Sequence, residues 1–283
     1  MIKVGIIGTE NSHATQFTHF FNKTKKYPEI QVTHIGGMYP EANAKLKELF
    51  PEVEIVENPS EMLGKVDAIM VTCRDGKYHF GFAKPFVEAG IPAFVDKPFT
   101  RDVKEAEELV KIAKEKGVPL CGGSAVKTCY DILMLKSKVD ADPENVKGGT
   151  IIAPVSMVND YGGYWFYSAH LAEMTLKVFG YNPVEVTAEV CNNNITVMTK
   201  YENFIVTNQF TNEGSSYFGQ VINQYGVHSR DIDTSLIFNH ECDEFANMLL
   251  TGKMEHSYEQ QIMPVRYLVA VEESFKTGKT VKI

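Results

Sequence analysis

The chain has no paired cysteines. Its five thiols, Cys73, Cys121, Cys129, Cys191 and Cys242, are odd in number and include no C-x-x-C spacing. That pattern argues against a disulfide framework and a thiolate metal cluster, and favours a reducing compartment. No run approaches the roughly 20 apolar residues that a membrane-spanning helix needs. Positive charge is in deficit: 28 Lys and Arg against 36 Asp and Glu leave a net charge of −8, so neither nucleic acid nor an anionic membrane surface is an expected partner. The longest basic run, Lys23-Thr24-Lys25-Lys26, falls at an expected helix end, where cations are favoured in any case. His13, His34, Glu10 and Glu173 are scattered without H-x-E or H-E-x-x-H spacing, so no metal is expected. The opening residues read as a strand, not as a charged segment followed by an apolar one, so no secretory signal is expected and the cytoplasm is the expected location.

What is present is an ordinary globular balance, with 44% apolar residues over 283 positions, enough for about two domains of about 150 residues each. The first part alternates short apolar runs with amphipathic segments: strands at 4–7, 30–35, 66–71, 92–95 and 118–121, and helices at 13–22, 40–50, 77–88 and 102–116. The last of these helices opens on an Asp102/Glu105 capping pair, carries an apolar stripe of Val103, Ala106, Val110 and Ala113, and stops at Gly117. Such alternation predicts right-handed βαβ units, hence a doubly wound parallel sheet that binds ligands at the carboxyl ends of its strands. Beyond Gly122 the texture changes to strands at 150–152, 184–190, 195–199, 204–210 and 217–222. One helix at 168–179 interrupts them, and two helices near 242–250 and 258–275 close the chain. The expected fold is α/β. A Rossmann domain at 1–122 is followed at 123–283 by an α+β substrate and oligomerisation domain on a mainly antiparallel sheet, with the last helix packing back on the first domain.

The first strand leads into Gly8-Thr9-Glu10-Asn11-Ser12-His13, the expected cofactor loop. In the dinucleotide fingerprint G-x-G-x-x-G the first glycine makes the turn, the second admits the pyrophosphate and the third admits the helix. Only Gly8 fits; Glu10 and His13 hold the other two places. Asn11 or Ser12 can cap the helix and leave its amides facing a phosphate. A carboxylate about 4 Å from that phosphate would cost roughly 1 to 4 kcal/mol unless Glu10 turns away. The second strand ends in Gly36-Gly37-Met38-Tyr39, with neither the acid that holds an adenosine ribose nor an arginine for a 2′-phosphate, so NAD and NADP stay equally open.

The fourth strand ends at Val95-Asp96-Lys97-Pro98-Phe99, which places Lys97 at the carboxyl edge of the sheet. A lysine there can donate to a substrate oxygen, and desolvation lowers its pKa readily; the alternative is a solvated lysine before a stiff turn. On the helix at 168–179, His170, Glu173 and Lys177 share one face, either as a solvated ion-pair ladder or as the wall of a ligand site in which Glu173 hydrogen-bonds His170. The aromatic run Tyr161, Tyr164, Trp165, Phe166, Tyr167 supplies either stacking surfaces for a sugar or core.

Taken together, Asp96-Lys97-Pro98, the upstream stretch Val71-Thr72-Cys73 with His79 and Ala89-Gly90-Ile91, the pair Gly162-Gly163 before His170-Leu171-Ala172-Glu173, and the C-terminal runs from Glu255 and from Ser274 resemble the glucose–fructose oxidoreductase/inositol dehydrogenase (Gfo/Idh/MocA) family. The resemblance runs in order along the whole chain. It implies an NAD(P)-dependent oxidoreductase acting on a sugar, polyol or related small hydroxyl compound, assembled as a homodimer or homotetramer through the C-terminal sheet. It further implies that Lys97 positions the reacting hydroxyl, that His170 takes its proton with Glu173 beside it, and that Tyr164, Trp165 and Tyr167 join them at the substrate. Thr72, Cys73, His79, Asp96 and Lys97 would then border the cofactor together with residues 8–13. Two departures from the family pattern stand out: the degenerate glycine loop, and Phe166 where many members carry an aspartate four residues before the histidine. They leave room for two rival readings, a small-molecule-binding or regulatory protein of the same fold and an NAD-assisted lyase or glycosidase.

Overall fold

Apolar strands that must be buried on both faces set the first half of the chain. In the computed structural model, which describes Met1–Ile283, β1 (Ile2–Ile7) buries Val4, Ile6 and Ile7 completely. It is followed by α1 (Ser12–His19), β2 (Ile30–Gly36), α2 (Pro40–Leu49), the short β3 (Glu54–Ile55) and β4 (Ala68–Val71). Then come α3 (His79–Glu88), β5 (Ala93–Asp96), α4 (Val103–Lys116) and β6 (Leu120–Gly123). The six strands form one sheet in the order β3-β2-β1-β4-β5-β6, and every pair is parallel. The strand order reverses direction at β1 and β4, and in doubly wound sheets ligands bind at that switch. Helix ends follow local chemistry. Asp102 caps α4 by accepting from the Lys104 and Glu105 amides, and Gly117, at φ 66°, closes it. The helix expected at 13–22 is divided: α1 stops at His19 and a π-helical turn, Phe20–Thr24, ends on left-handed Lys25.

The second half opens with α5 (Tyr130–Asp140), followed by β7 (Val146–Val155) and α6 (Trp165–Phe179). The strands β8 (Glu185–Cys191), β9 (Asn194–Lys200), β10 (Ile205–Asn212), β11 (Phe218–Asn223) and β12 (Gly226–Asp231) come next. Helices α7 (Ile237–Thr251) and α8 (Tyr258–Thr277) precede the two-residue β13 (Val281–Lys282). Seven strands make a sheet ordered β12-β11-β7-β10-β9-β8-β13, antiparallel throughout except for β7 with β10. Sequence periodicity misses α5 because its N-cap, Cys129, offers no capping side chain and Leu133 stands exposed among the buried Ile132, Leu135 and Val139. It misses β12 because that edge strand lacks an alternating burial pattern.

The molecule divides into two compact units, Met1–Gly123 with Phe238–Ile262, and Ser124–Ile237 with Met263–Ile283. The segment that returns to the first unit is chiefly α7, whose Cys242, Phe245, Ala246 and Met248 share one core with Phe17, Phe21 and Phe94. The opening of α8 joins it there: the Tyr258 hydroxyl donates to Val118 O at 2.6 Å, and Lys114 pairs with Glu259. In the second unit α6 packs on β7, β10 and α5. It is pinned by a buried polar chain in which Thr175 donates to Asn208, and Asn208 Nδ2 donates to both Thr199 Oγ1 and Tyr267 OH. Satisfied networks of this kind hold an element in one place, since each member would be costly to leave unpaired.

Candidate active site

Crowding at the end of β1 makes Gly8 obligatory. Its φ is 99°, and a Cβ there would lie 2.4 Å from the Cys73 amide nitrogen. Gly37 crowds the other side less closely, where a Cβ would stand 3.1 Å from Gly8 N. Thr72 donates to Gly8 O and Cys73 packs against the loop, both fully buried. Asn11 caps α1: its Oδ1 accepts from the His13 amide while its Nδ2 donates to Thr72 O. Thr9 donates to Asn43. The remaining first-turn amides of α1 have no intrahelical partner, which is the arrangement that receives a phosphate. Glu10 does turn aside, because the Arg74 amide donates to its Oε1 at 3.0 Å. The carboxylate that stands in the second glycine's place thus ties the loop after β1 to the loop after β4.

At the end of β5, Asp96 is fully buried. Its Oδ1 accepts from the Lys97 amide at 2.7 Å, and its Oδ2 lies 2.7 Å from His13 Nδ1. Burial by itself would raise its pKa, but His13, supported by Lys97 and His79, holds it down to about 2. Lys97 is 7% exposed, and burial pushes its ammonium below the usual lysine range, against the opposing pull of the Asp96 and Glu241 carboxylates. The Lys97–Pro98 bond is cis. Gly76 makes room for the proline ring, which would lie 2.5 Å from a Cβ at that position. His79 braces the two loops: fully buried, its Nδ1 lies 2.7 Å from Pro98 O and its Nε2 2.8 Å from Cys73 O. Arg101 donates to Asp75 at 3.0 Å and completes the link between the loops after β4 and β5.

In the second unit α6 is buried on all sides, so the solvated ladder is excluded: His170 is 7%, Glu173 3% and Lys177 9% exposed. Glu173 does not pair with His170. Its Oε1 accepts from the Ser124 amide at 2.8 Å and its Oε2 is 2.8 Å from Lys127 Nζ. The neighbour of His170 Nδ1 is the Ser124 hydroxyl, at 2.7 Å. Tyr164 and Trp165 belong to the core: the Tyr164 ring packs on Phe210 and Phe275, and Trp165 Nε1 donates to Glu272. Their place early in a helix wrapped by sheet and α8 turns them inward. Tyr167 stays on an open surface, in a pocket of about 370 Å³ whose walls include Ser156, Glu213, Ser215 and Tyr217. The His170 ring meets the rings of Tyr167 and Tyr217 edge-on, at 5.4 and 5.9 Å. Sequence reading missed Ser124, Lys127 and Tyr217. Ser124 alone carried a signal, a serine directly before a helical turn, where its hydroxyl would be expected to cap.

Residues 2–123 match the family model described as Oxidoreductase family, NAD-binding Rossmann fold. The matched span is the parallel-sheet part of the chain, β1 through β6. Among curated relatives, UDP-N-acetylglucosamine 3-dehydrogenase of Acidithiobacillus ferrooxidans is 25% identical over 189 residues, 66% of this chain and 57% of the relative. The uncharacterized oxidoreductase YdgJ of Escherichia coli is 36% identical over 121 residues, 41% of this chain and 32% of the relative. The chain therefore spans about half or less of the length of each of these curated relatives. Among solved structures, scyllo-inositol dehydrogenase from Lactobacillus casei with bound NAD(H) and scyllo-inositol aligns at a TM-score of 0.86 and 15% identity, covering 100% of this chain and 99% of that one. GenD2 from gentamicin A biosynthesis in complex with NAD aligns at 0.86 and 16%, covering 100% and 96%. At such identities the likeness is one of fold, and it extends through both units of the chain.

Proposed function

We propose that the chain is an NAD(P)-dependent dehydrogenase acting on a sugar, polyol or related small hydroxyl compound. The observation that carries this reading is Lys97, buried at the carboxyl end of β5 with its ammonium pKa lowered, as suits a group that positions and polarises a hydroxyl. His170 is the general base, since imidazole exchanges a proton near neutral pH. The loop of residues 8–13 fits a dinucleotide: Gly8 allows the tight crossing, Asn11 caps α1, and Glu10 is turned to the Arg74 amide. When bound, the nicotinamide supplies the hydride acceptor. The contact that occupies Glu10 removes one ground for reading the chain as a regulatory binder without turnover. The Ser124 contact, which gives His170 a partner although Phe166 cannot, removes another.

Assembly through the second sheet belongs to the same proposal. The strands β9 and β10 bury Ile195, Val197, Val206 and Phe210 on one face and leave Met198 and Ile205 about half exposed on the other. An open sheet face of that kind is what a second copy would cover. Light scattering on the purified chain should give a dimer or tetramer mass; a monomer at micromolar concentration would overturn this part.

The test of the activity is formation of NADH or NADPH on incubation with NAD or NADP and a panel of inositols, hexoses and nucleotide sugars. Saturation at about 100 times Kd should also stabilise the fold by roughly 2.7 kcal/mol. If neither nucleotide moves the thermal midpoint at millimolar concentration, the dehydrogenase reading is wrong.

A further inference from the structure

Ser124 is the first residue after β6 and the N-cap of the 3-10 turn Ala125–Thr128. It is fully buried. Its amide donates to Glu173 Oε1 at 2.8 Å, and its Oγ accepts from the Val126 amide at 3.2 Å and lies 2.7 Å from His170 Nδ1. Glu173 is itself held through its other oxygen by Lys127, three residues beyond Ser124, in an ion pair whose two side chains are 4% and 3% exposed. The turn is thus clamped to α6 by a buried ion pair, and the hydroxyl is aimed by the turn's own backbone.

A neutral imidazole carries its proton on one nitrogen only, and the partner of that nitrogen decides which one. A base acting through Nε2 needs the proton on Nδ1. A hydroxyl oxygen has two lone pairs; the Val126 amide takes one of those on Ser124 Oγ, and the other is free for an Nδ1–H. Phe166, four residues before His170, has no acceptor to offer, and its ring packs instead on Tyr161 and Tyr167 at 5.0 and 4.8 Å.

We propose that Ser124 is the positioning residue of His170, accepting its Nδ1–H and so leaving Nε2 as the basic nitrogen. The role of Nε2 in turnover rests on the dehydrogenase reading; the tautomer does not. In the reaction the substrate hydroxyl proton passes to Nε2, Nδ1–H stays bonded to Ser124, and no proton leaves the serine. Glu173 and Lys127 act one step further out, by fixing the turn that carries Ser124.

The experiment is long-range proton–nitrogen correlation NMR on the full chain labelled at histidine nitrogens, with the His170 signal assigned by its loss in His170→Gln. The wild type should show the Nδ1–H tautomer. Ser124→Ala should move the population toward Nε2–H, and Ser124→Thr, which keeps the hydroxyl, should restore the wild-type pattern. An Nε2–H tautomer in the wild type overturns the proposal even if Ser124→Ala fails to fold, and so does a pattern unchanged by Ser124→Ala. With NAD and myo-inositol as the first kinetic probe, Ser124→Ala should lower kcat about ten-fold at unchanged KM for NAD, in line with other partners of catalytic side chains. A wild-type Nδ1–H tautomer that shifts in Ser124→Ala, in a chain that turns over no panel compound, overturns the dehydrogenase reading and leaves the Ser124 assignment standing.

Discussion

Lys97 and His170 are both almost completely buried, yet their surroundings are built in opposite ways. Lys97 sits among groups close to it in the chain: Asp96 beside it, Pro98 after it, and the Gly76, His79 and Arg101 braces from the adjoining loops. Its environment is charged, with carboxylates pulling against a desolvation that lowers its pKa. His170 meets a neutral hydroxyl from a residue 46 positions away, and the charges near it, Glu173 and Lys127, are spent on one another. The contrast suggests that the lysine is tuned by charge and burial whereas the histidine is tuned by tautomer.

Several changes would break or sharpen that contrast. The largest effects are expected from Lys97→Ala and His170→Ala. Each should cost on the order of 100-fold to 10,000-fold in kcat, the range of positioned acid–base groups, while the thermal midpoint moves by a few degrees at most. Unchanged turnover in either would remove that residue from the chemistry. Next is Lys127→Met, which strands Glu173 as a lone buried carboxylate. Breaking a buried ion pair from one side costs about 3 to 5 kcal/mol, so denaturant melts should show a loss of that order. Lys127→Met combined with Glu173→Met should recover part of it; a single variant as stable as wild type would mean that the pair does not clamp the turn.

A smaller effect separates the two sites by pH. The Asp96 carboxyl is at about 2 in the folded chain and near 3.8 when exposed, so the folded state binds fewer protons between those values. Its contribution, about 2 kcal/mol by linkage, is complete above pH about 4 and is lost as pH falls toward 2. Asp96→Asn should remove that acid dependence and leave the His170 tautomer untouched; an unaltered acid limb in urea melts from pH 5 to pH 2 would contradict the His13–Asp96 pairing. The smallest effect is at Glu10. Glu10→Gln keeps an oxygen for the Arg74 amide and removes a charge near the expected phosphate. Dinucleotide affinity in calorimetry should rise by no more than about five-fold, the water-screened limit at about 4 Å. A fall in affinity would show that the charge itself holds the loop.

Legibility follows the range of the interactions involved. The parallel sheet could be read because each strand is a short run apolar on both faces and each helix carries its own cap and stop, as Asp102 and Gly117 do for α4. Gly8, Asn11 and Lys97 were legible because a parallel sheet always presents the residues after its strands at one edge. Glu10 seemed adverse because its partner, the Arg74 amide, lies 64 residues away. The burial of Tyr164 and Trp165 was illegible for a similar reason: an aromatic run has the same local signature whether α8 covers it or not. Glu173 shares a helical face with His170, as periodicity requires, but sharing a face does not determine which group on another element each side chain meets.

Local chemistry, written in residue order, therefore determined the strands, the capped helices, the glycine at the β1 turn and the lysine at the β5 edge. Packing between distant segments decided that α7 completes the core of the first unit, that α6 is buried on every side, and that a serine rather than a carboxylate meets His170. Periodicity specifies a direction around a helix or strand. The partner found in that direction depends on how elements tens of residues apart are folded against one another.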